Sequence, residues 1–167
     1  MSVSIITRTT QYLAFKLEAE VFALDVAKVR EILDFTTVTR VPQTPDFMRG
    51  VINLRGSMVP VMDLRLKFGM SATEKTVNTC VIVVEMEVTG EIMILGVLAD
   101  SVQEVIDLEP EQIKPPPRIG TKLNTEFILG MGKHNETFMM ILDIDKVVSE
   151  GEKSVNRSTE TEAAVHE

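Results

Sequence analysis

An all-β, antiparallel fold is predicted by three features of this 167-residue chain. Short apolar segments recur along it, some alternating with polar residues at period two and some continuously apolar. Gly, Pro, Asn and Asp punctuate them at short intervals, and helical periodicity is confined to scraps. Some ten strands of this kind belong to a barrel or a sandwich. A polar break near residue 73 divides the pattern into two halves. A hydrophobic fraction of 44% is enough for a packed interior, and the length suits one domain or two small ones sharing a core.

Taken in order, Leu13, Phe15 and Leu17 alternate with Tyr12, Ala14, Lys16 and Glu18 as in a half-buried strand. Glu18 to Glu20 turns the chain into a second strand, Val21 to Leu24. Asp25 can cap a short helix in which Val26, Val29 and Leu33 share one face, a stripe that serves either as core or as contact surface. Thr36 to Val41 reads as a short strand, Pro42 and Pro45 bracket a turn, and Asp46 to Arg49 make at most one helical turn before Gly50. Val51 to Leu54 and Met58 to Met62 form a hairpin about Arg55-Gly56, with Gly56 supplying a positive φ. Pro60 cannot donate to a ladder, so its strand is expected at a sheet edge or with a bulge. Asp63 caps a helical turn, Leu64 to Phe68, that Gly69 stops.

After the polar seam Met70 to Val77, the apolar run Asn78 to Met86 suits a strand buried on both faces. A turn at Val88 to Glu91 leads into Ile92 to Leu98, and Val102 to Leu108 adds another strand before a helical turn starting at Pro110. Pro115-Pro116-Pro117 reads as an extended polyproline connector. Phe127 to Met131, a turn at Gly132 to Glu136, and Phe138 to Ile144 make a third hairpin, and Asp145 caps a last helix, Lys146 to Glu150. The expected organisation is a flexible start at 1–9, a folded region 10–150 with halves near 10–70 and 75–145 plus the short C-terminal helix, and a disordered acidic tail at 151–167. From Ser149 onward five Glu face Lys153 and Arg157, so −3 of the chain's −8 lies in this tail, which is too poor in apolar residues to order itself.

The acidic balance argues against a nucleic-acid partner. No apolar run reaches the ~20 residues of a membrane helix, and the N-terminus lacks the pattern of a secretory signal. The single Cys80, inside an apolar run, reads as a buried inert thiol in a reducing cytosol. An active site needs a nucleophile with a base, a paired acid and base, or a metal cluster. The two histidines, His134 and His166, have no partners at ligand spacing, and no phosphate-binding glycine loop or hydrolase motif occurs. Asp143 and Asp145 at a strand end read as punctuation and capping. The expectation is therefore no catalytic residues, no cofactor and no metal, and a barrel that recognises other proteins through its faces and edges.

The stretch Asn53-Leu54-Arg55-Gly56, followed by Val59-Pro60-Val61 and Asp63-Leu64-Arg65, closely resembles the signature of the CheW family of bacterial chemotaxis coupling proteins. Thr10 to Phe15, Leu24 to Val26, Glu31-Ile32, Thr44 to Phe47, Asn78-Thr79 and Gln112 to Pro115 extend the likeness over roughly residues 10 to 150. The resemblance implies two five-stranded SH3-like barrels sharing a hydrophobic interface. It also implies a non-catalytic cytoplasmic adaptor, placed at membrane-associated receptor arrays without entering the membrane, that links chemoreceptors to the CheA histidine kinase. Carried over by position, Val26, Val29 and Gly50 would face the kinase regulatory domain, and Lys114 and Ile119 would make a second kinase contact, although Ile119 stands where the family often has an aromatic. Val81 and Val105 would meet the chemoreceptor tip, and Glu31 with Arg55 would form a surface salt bridge that supports signalling. The alternatives are a CheV-like or kinase-regulatory module of another chemosensory pathway and, from a different class, a small-ligand-binding β-barrel or an unrecognised enzyme.

Overall fold

The computed structural model describes residues 9–35, 37–116 and 127–148. Among the described residues eleven strands form two sheets: β1 Thr10–Leu17, β2 Glu20–Asp25, β3 Val29–Asp34, β4 Met48–Leu54, β5 Ser57–Asp63, β6 Cys80–Val88, β7 Glu91–Ala99, β8 Ser101–Leu108, β9 Ile113–Lys114, β10 Ile128–His134 and β11 Thr137–Leu142. One sheet runs β8-β1-β2-β11-β10-β9 and the other β3-β6-β7-β5-β4. Short 3-10 turns at Val26–Lys28 and Pro110–Gln112, the helix α1 Leu64–Lys67 and a second helix α2 over 144–148 complete the fold. The all-β class holds, with one sheet of five strands and one of six, the sixth being the two-residue β9. The expected tail and Ile119 lie outside the described residues.

Each sheet encloses its own apolar interior. Tyr12, Ala23, Ile106, Leu108, Met139 and Ile141 fill the first, and Ile52, Val59, Val61, Val81, Val83 and Leu98 fill the second. A larger shared core lies between the sheets, built on Leu13, Phe15, Leu17, Phe22, Met62, Ile82, Val97 and Leu142. Four phenylalanines run through it, with ring centroids 6.0 Å apart for Phe15–Phe22, 5.7 Å for Phe22–Phe68 and 5.9 Å for Phe68–Phe127. This double burial corrects the reading of β1 as half-buried. Its inward set Leu13, Phe15 and Leu17 meets the shared core, and the opposite face, with Tyr12 and Ala14, is buried as well.

The sheets do not coincide with the halves expected at 10–70 and 75–145. The hairpin β1–β2 sits in a sheet completed by β8, β10 and β11, and the hairpin β6–β7 in one completed by β3, β4 and β5. Position for position the halves repeat: hairpin, edge strand, bulged hairpin, capped helix. β4 and β10, 80 residues apart, share one burial pattern and a register shift at Met48/Gly50 and Ile128/Gly130. β5 then runs parallel to β7, and β11 parallel to β2. Asp63 and Asp143 each begin a helix, and their N–H groups donate to the Phe47 and Phe127 carbonyls at 2.6 and 2.8 Å.

Several local expectations change. Only Val26–Lys28 is helical after Asp25, whose side chain accepts from the Ala27 N–H; Val29 and Leu33 are strand residues of β3 on opposite faces, a bulge between Val29 and Glu31 turning Val29 to the shared core and Leu33 to the interior of the five-stranded sheet. Thr36 is outside the described residues, and among 37–41 only Thr39 pairs, as a single bridge to Val51. Asp46 and Phe47 form a turn and β4 begins at Met48, so no helical turn precedes Gly50. Pro60 lies in an interior strand, between β4 and β7. It is tolerated because Val51, opposite it, exchanges both backbone hydrogen bonds with Thr39 at 2.8 Å, and pairing of β5 to β7 begins only at Val61. The third hairpin turns at Asn135-Glu136, both at positive φ, so β10 continues through Gly132 to His134. Asp143, and not Asp145, caps α2, its carboxylate accepting from the Lys146 N–H at 3.3 Å.

Gly50 has φ +141°, and a Cβ there would collide with the Thr39 carbonyl oxygen; Gly56 also has a positive φ but faces open space. Gly50→Ala should therefore destabilise by roughly 2–4 kcal/mol, against about 1 kcal/mol for Gly56→Ala. Urea unfolding of the two variants checks this, and equal losses would contradict it. Asp63 is fully buried and accepts from the Arg65 and Thr73 N–H groups, the Thr73 hydroxyl at 2.7 Å and Arg49 at 3.0 Å. Asp63→Ala should cost about 2–4 kcal/mol by stranding these donors, Arg49 being half-exposed and partly rescued by water.

Candidate docking surfaces

The motif hairpin is built from its own side chains. Arg55 and Gly56 have φ 50° and 89°, as a two-residue turn of the twisted kind requires, and the Asn53 carboxamide oxygen accepts from the Gly56 N–H at 2.8 Å. The turn aims Arg55 across to β3, where its guanidinium grips the Glu31 carboxylate with both end nitrogens. Glu31 and Arg55 are thus brought together as the sequence suggested. β3 and β4 are the two edges of the five-stranded sheet, so this ion pair spans the gap between them. The hydrogen bond from Arg55 holds the Glu31 carboxyl below its ordinary range, and the same bond raises the arginine.

The other motif cation acts inside the body. Arg65 donates to Asp100 at 3.1 Å, to Glu18 at 3.0 Å and to the Ser71 carbonyl at 2.9 Å. It ties the β1–β2 turn, the start of α1 and the β7–β8 junction into one cluster. Lys28 pairs with Asp145 at 3.0 Å, a link between the first 3-10 turn and α2, and Arg30 with Glu85 at 2.8 Å. These pairs are not legible in the sequence because their partners lie 35 to 117 residues away.

The remaining site residues divide by burial. Val26 and Val29 are half-buried against the shared core, at the start of the β3 edge. Gly50 is buried in the β4 bulge. Val81 is fully buried within the five-stranded sheet, 2.7 Å from where a Cβ on Gly96 would fall, so it presents no side chain to a partner as the fold stands. Val105, by contrast, is 51% exposed on β8, the edge of the other sheet. Matching the ladders rung by rung, Val29 opposite Val84 and Val105 opposite Leu13 occupy equivalent places in the two halves. Lys114 is exposed on β9 beside Met131, Lys133 and Phe138. Phe138 (61% exposed) and Met58 (73%) hold equivalent positions in the two bulged hairpins, a pairing visible in the sequence only once the 80-residue offset is known.

A cleft of about 640 Å³ is lined by Phe35, Arg40, Pro42, Asp46, Arg49 and Thr73. Its residues include no thiol or imidazole beside a base. Among the described residues no group of three or more His, Cys, Asp or Glu could hold a metal ion, and every buried side-chain polar atom has a partner. Cys80 is buried and unpaired; burial, and secondarily Asp34, pushes its thiol up, which keeps it a poor nucleophile. Among the described residues no helix is long and apolar enough to cross a membrane.

Comparison with known proteins gives a consistent result. The sequence model of the CheW-like domain matches residues 11–152. "Chemotaxis protein CheW" of Klebsiella aerogenes is 39% identical over 145 residues, 87% of this chain and 85% of that protein. "Probable chemotaxis protein CheW" of Rhizobium etli is 30% identical over 154 residues, 92% of each. The crystal structure of the scaffolding protein TtCheW from Thermoanaerobacter tengcongensis superimposes with a TM-score of 0.74 at 31% identity, covering 88% of this chain and 92% of that one.

Arg55→Ala should leave the unfolding midpoint nearly unchanged, since solvent screens an exposed pair and its net contribution to stability is small. Its effect should show in titration. With the folded-state acidity of Glu31 restored to the ordinary range, its carboxyl protonates at higher pH than in the parent, followed by side-chain NMR. The pair's contribution is present at neutral pH and is lost as pH falls through the depressed value. An unmoved Glu31 titration would show that the bridge does not persist in solution.

Proposed function

We propose, from the premise that this chain belongs to the CheW family, that it is a chemotaxis scaffold coupling chemoreceptors to a CheA-type histidine kinase by presenting surfaces, with no chemistry of its own. The observation that carries the proposal is the family match over the whole folded region. The double-barrel body supports it, because each barrel offers an edge strand and a hairpin end for docking. Half-buried aliphatics at such an edge make interface anchors once water is excluded.

The kinase regulatory domain docks at the β3 end, on Val26 and Val29, with Gly50 acting indirectly by shaping the bulge beneath. Lys114, with Ile119 beyond the described residues, makes the second kinase contact. The receptor tip meets β8 at Val105, and Val81 contributes only by supporting the sheet from inside. The Glu31–Arg55 bridge orients the β3 end. The protein works at the cytoplasmic face of receptor arrays.

Purified protein should retain both a CheA regulatory domain and a chemoreceptor cytoplasmic fragment in pull-downs; binding to neither removes the adaptor reading. Val105→Asp, at an exposed site, should keep the fold by circular dichroism and weaken receptor capture by about tenfold or more while sparing kinase capture. Equal loss of both would place Val105 in a structural role.

A further inference from the structure

The exchange of strands between the halves has a consequence for the partners this chain can accept. Within the first half, no ladder joins the β1–β2 hairpin to β3, β4 or β5. Within the second half, none joins β6–β7 to β8, β10 or β11. The ladders that complete both sheets, β1 with β8, β2 with β11, β3 with β6 and β5 with β7, all cross from one half to the other. The shared core does the same, Phe68 of the first half packing on Phe127 of the second, and Arg65 reaches Asp100 likewise. In its backbone ladders, each half therefore completes the sheet of the other half and not its own.

The peptide joining them is short and exposed. Thr73 is anchored back to Asp63 within the first half, Thr79 is buried at the start of the second, and residues 74–78 are all exposed, Val77 to 98%. No strand or core residue lies in 74–78.

We propose that the two halves are separable partners held by cross-pairing alone, and that a second copy of this chain can supply the complementary half through exchange about residues 74–78. In the native chain the connection holds the halves at millimolar effective concentration, so closure within one copy wins. A connection too short to span the gap leaves exchange as the way to satisfy every ladder, giving a closed dimer in which each pair of barrels is built from two chains. This inference does not depend on the signalling role, and its test reads assembly only.

The test has two arms. A specific protease site placed at Val77 is cut in the purified, folded full-length protein. The halves should co-elute at the intact mass with an unchanged circular-dichroism spectrum, separate only in urea, and regain the spectrum when mixed but not alone. In the second arm, deletion of 75–77 shortens the reach by roughly 10 Å and should raise the dimer fraction at least ~10-fold by light scattering after refolding. Heavy and light isotope-labelled copies refolded together should then give mixed dimers. Halves that part or unfold on cleavage, a half that folds alone, or a shortened chain that stays a folded monomer would each overturn the proposal. Should the shortened chain fail to fold, the cleaved chain decides alone.

Discussion

The rest of this structure depends on a backbone constraint: each half begins a sheet whose remaining strands belong to the other. A strand buried at a sheet interior must find partners for its N–H and C=O groups on both sides, and an unpaired edge is costly or sticky. β1 finds one partner in its own hairpin and the other in β8, and β6 is placed the same way between β7 and β3. Local folding therefore cannot finish either sheet. The shared core, with its run of four phenylalanines, then forms between two sheets that each need both ends of the chain.

Seen against this constraint, the motif at Asn53 to Arg65 is mostly architecture. Asn53 and Gly56 set the turn, Asp63 accepts four hydrogen bonds from Arg49, Arg65 and Thr73, and Leu64 is fully buried. Arg65 then fastens both sheets at their junction. Of the motif's charged side chains only Arg55 turns outward, to Glu31. That a stretch so diagnostic of the family is so inward-looking explains why it identifies the fold and leaves the docking faces to be sought on β3, β8 and β9.

Much of this was legible in the sequence, and the failures have physical causes. Turn chemistry placed the hairpins at Arg55-Gly56 and Thr89-Gly90, and the continuous apolar run placed β6, because those signals are local. The stripe Val26, Val29 and Leu33 fits a helix by spacing, but β3 bulges between Val29 and Glu31 and sends Val29 and Leu33 to different cores, a shift that spacing does not carry. Val81 enters as a contact only through the family resemblance, whereas the continuous apolar run places it in a strand buried on both faces, as the structure has it. Pro60 calls for a sheet edge or a bulge, and sits instead in an interior strand because propensity does not know that the neighbouring ladder starts one residue later. The strand exchange was out of reach, since periodicity reports how an element is buried and not by which partner. The repeat that underlies it did leave a trace, Phe47 and Gly50 recurring as Phe127 and Gly130 and Asp63 as Asp143.

The two barrels, alike in plan, are sealed differently. In the six-stranded sheet the chain runs on from edge β8 through the Pro110–Gln112 turn to pair as β9 with the far side over two rungs. In the five-stranded sheet the corresponding link has one rung, Thr39 to Val51, and the Glu31–Arg55 clasp; the equivalent places opposite hold Ile106 and Asn135. Dissolved salt weakens exposed charges and leaves main-chain rungs alone, with a Debye length of about 8 Å under physiological conditions. The closure of one lobe is thus partly ionic and open to screening, while that of its twin rests on main-chain rungs.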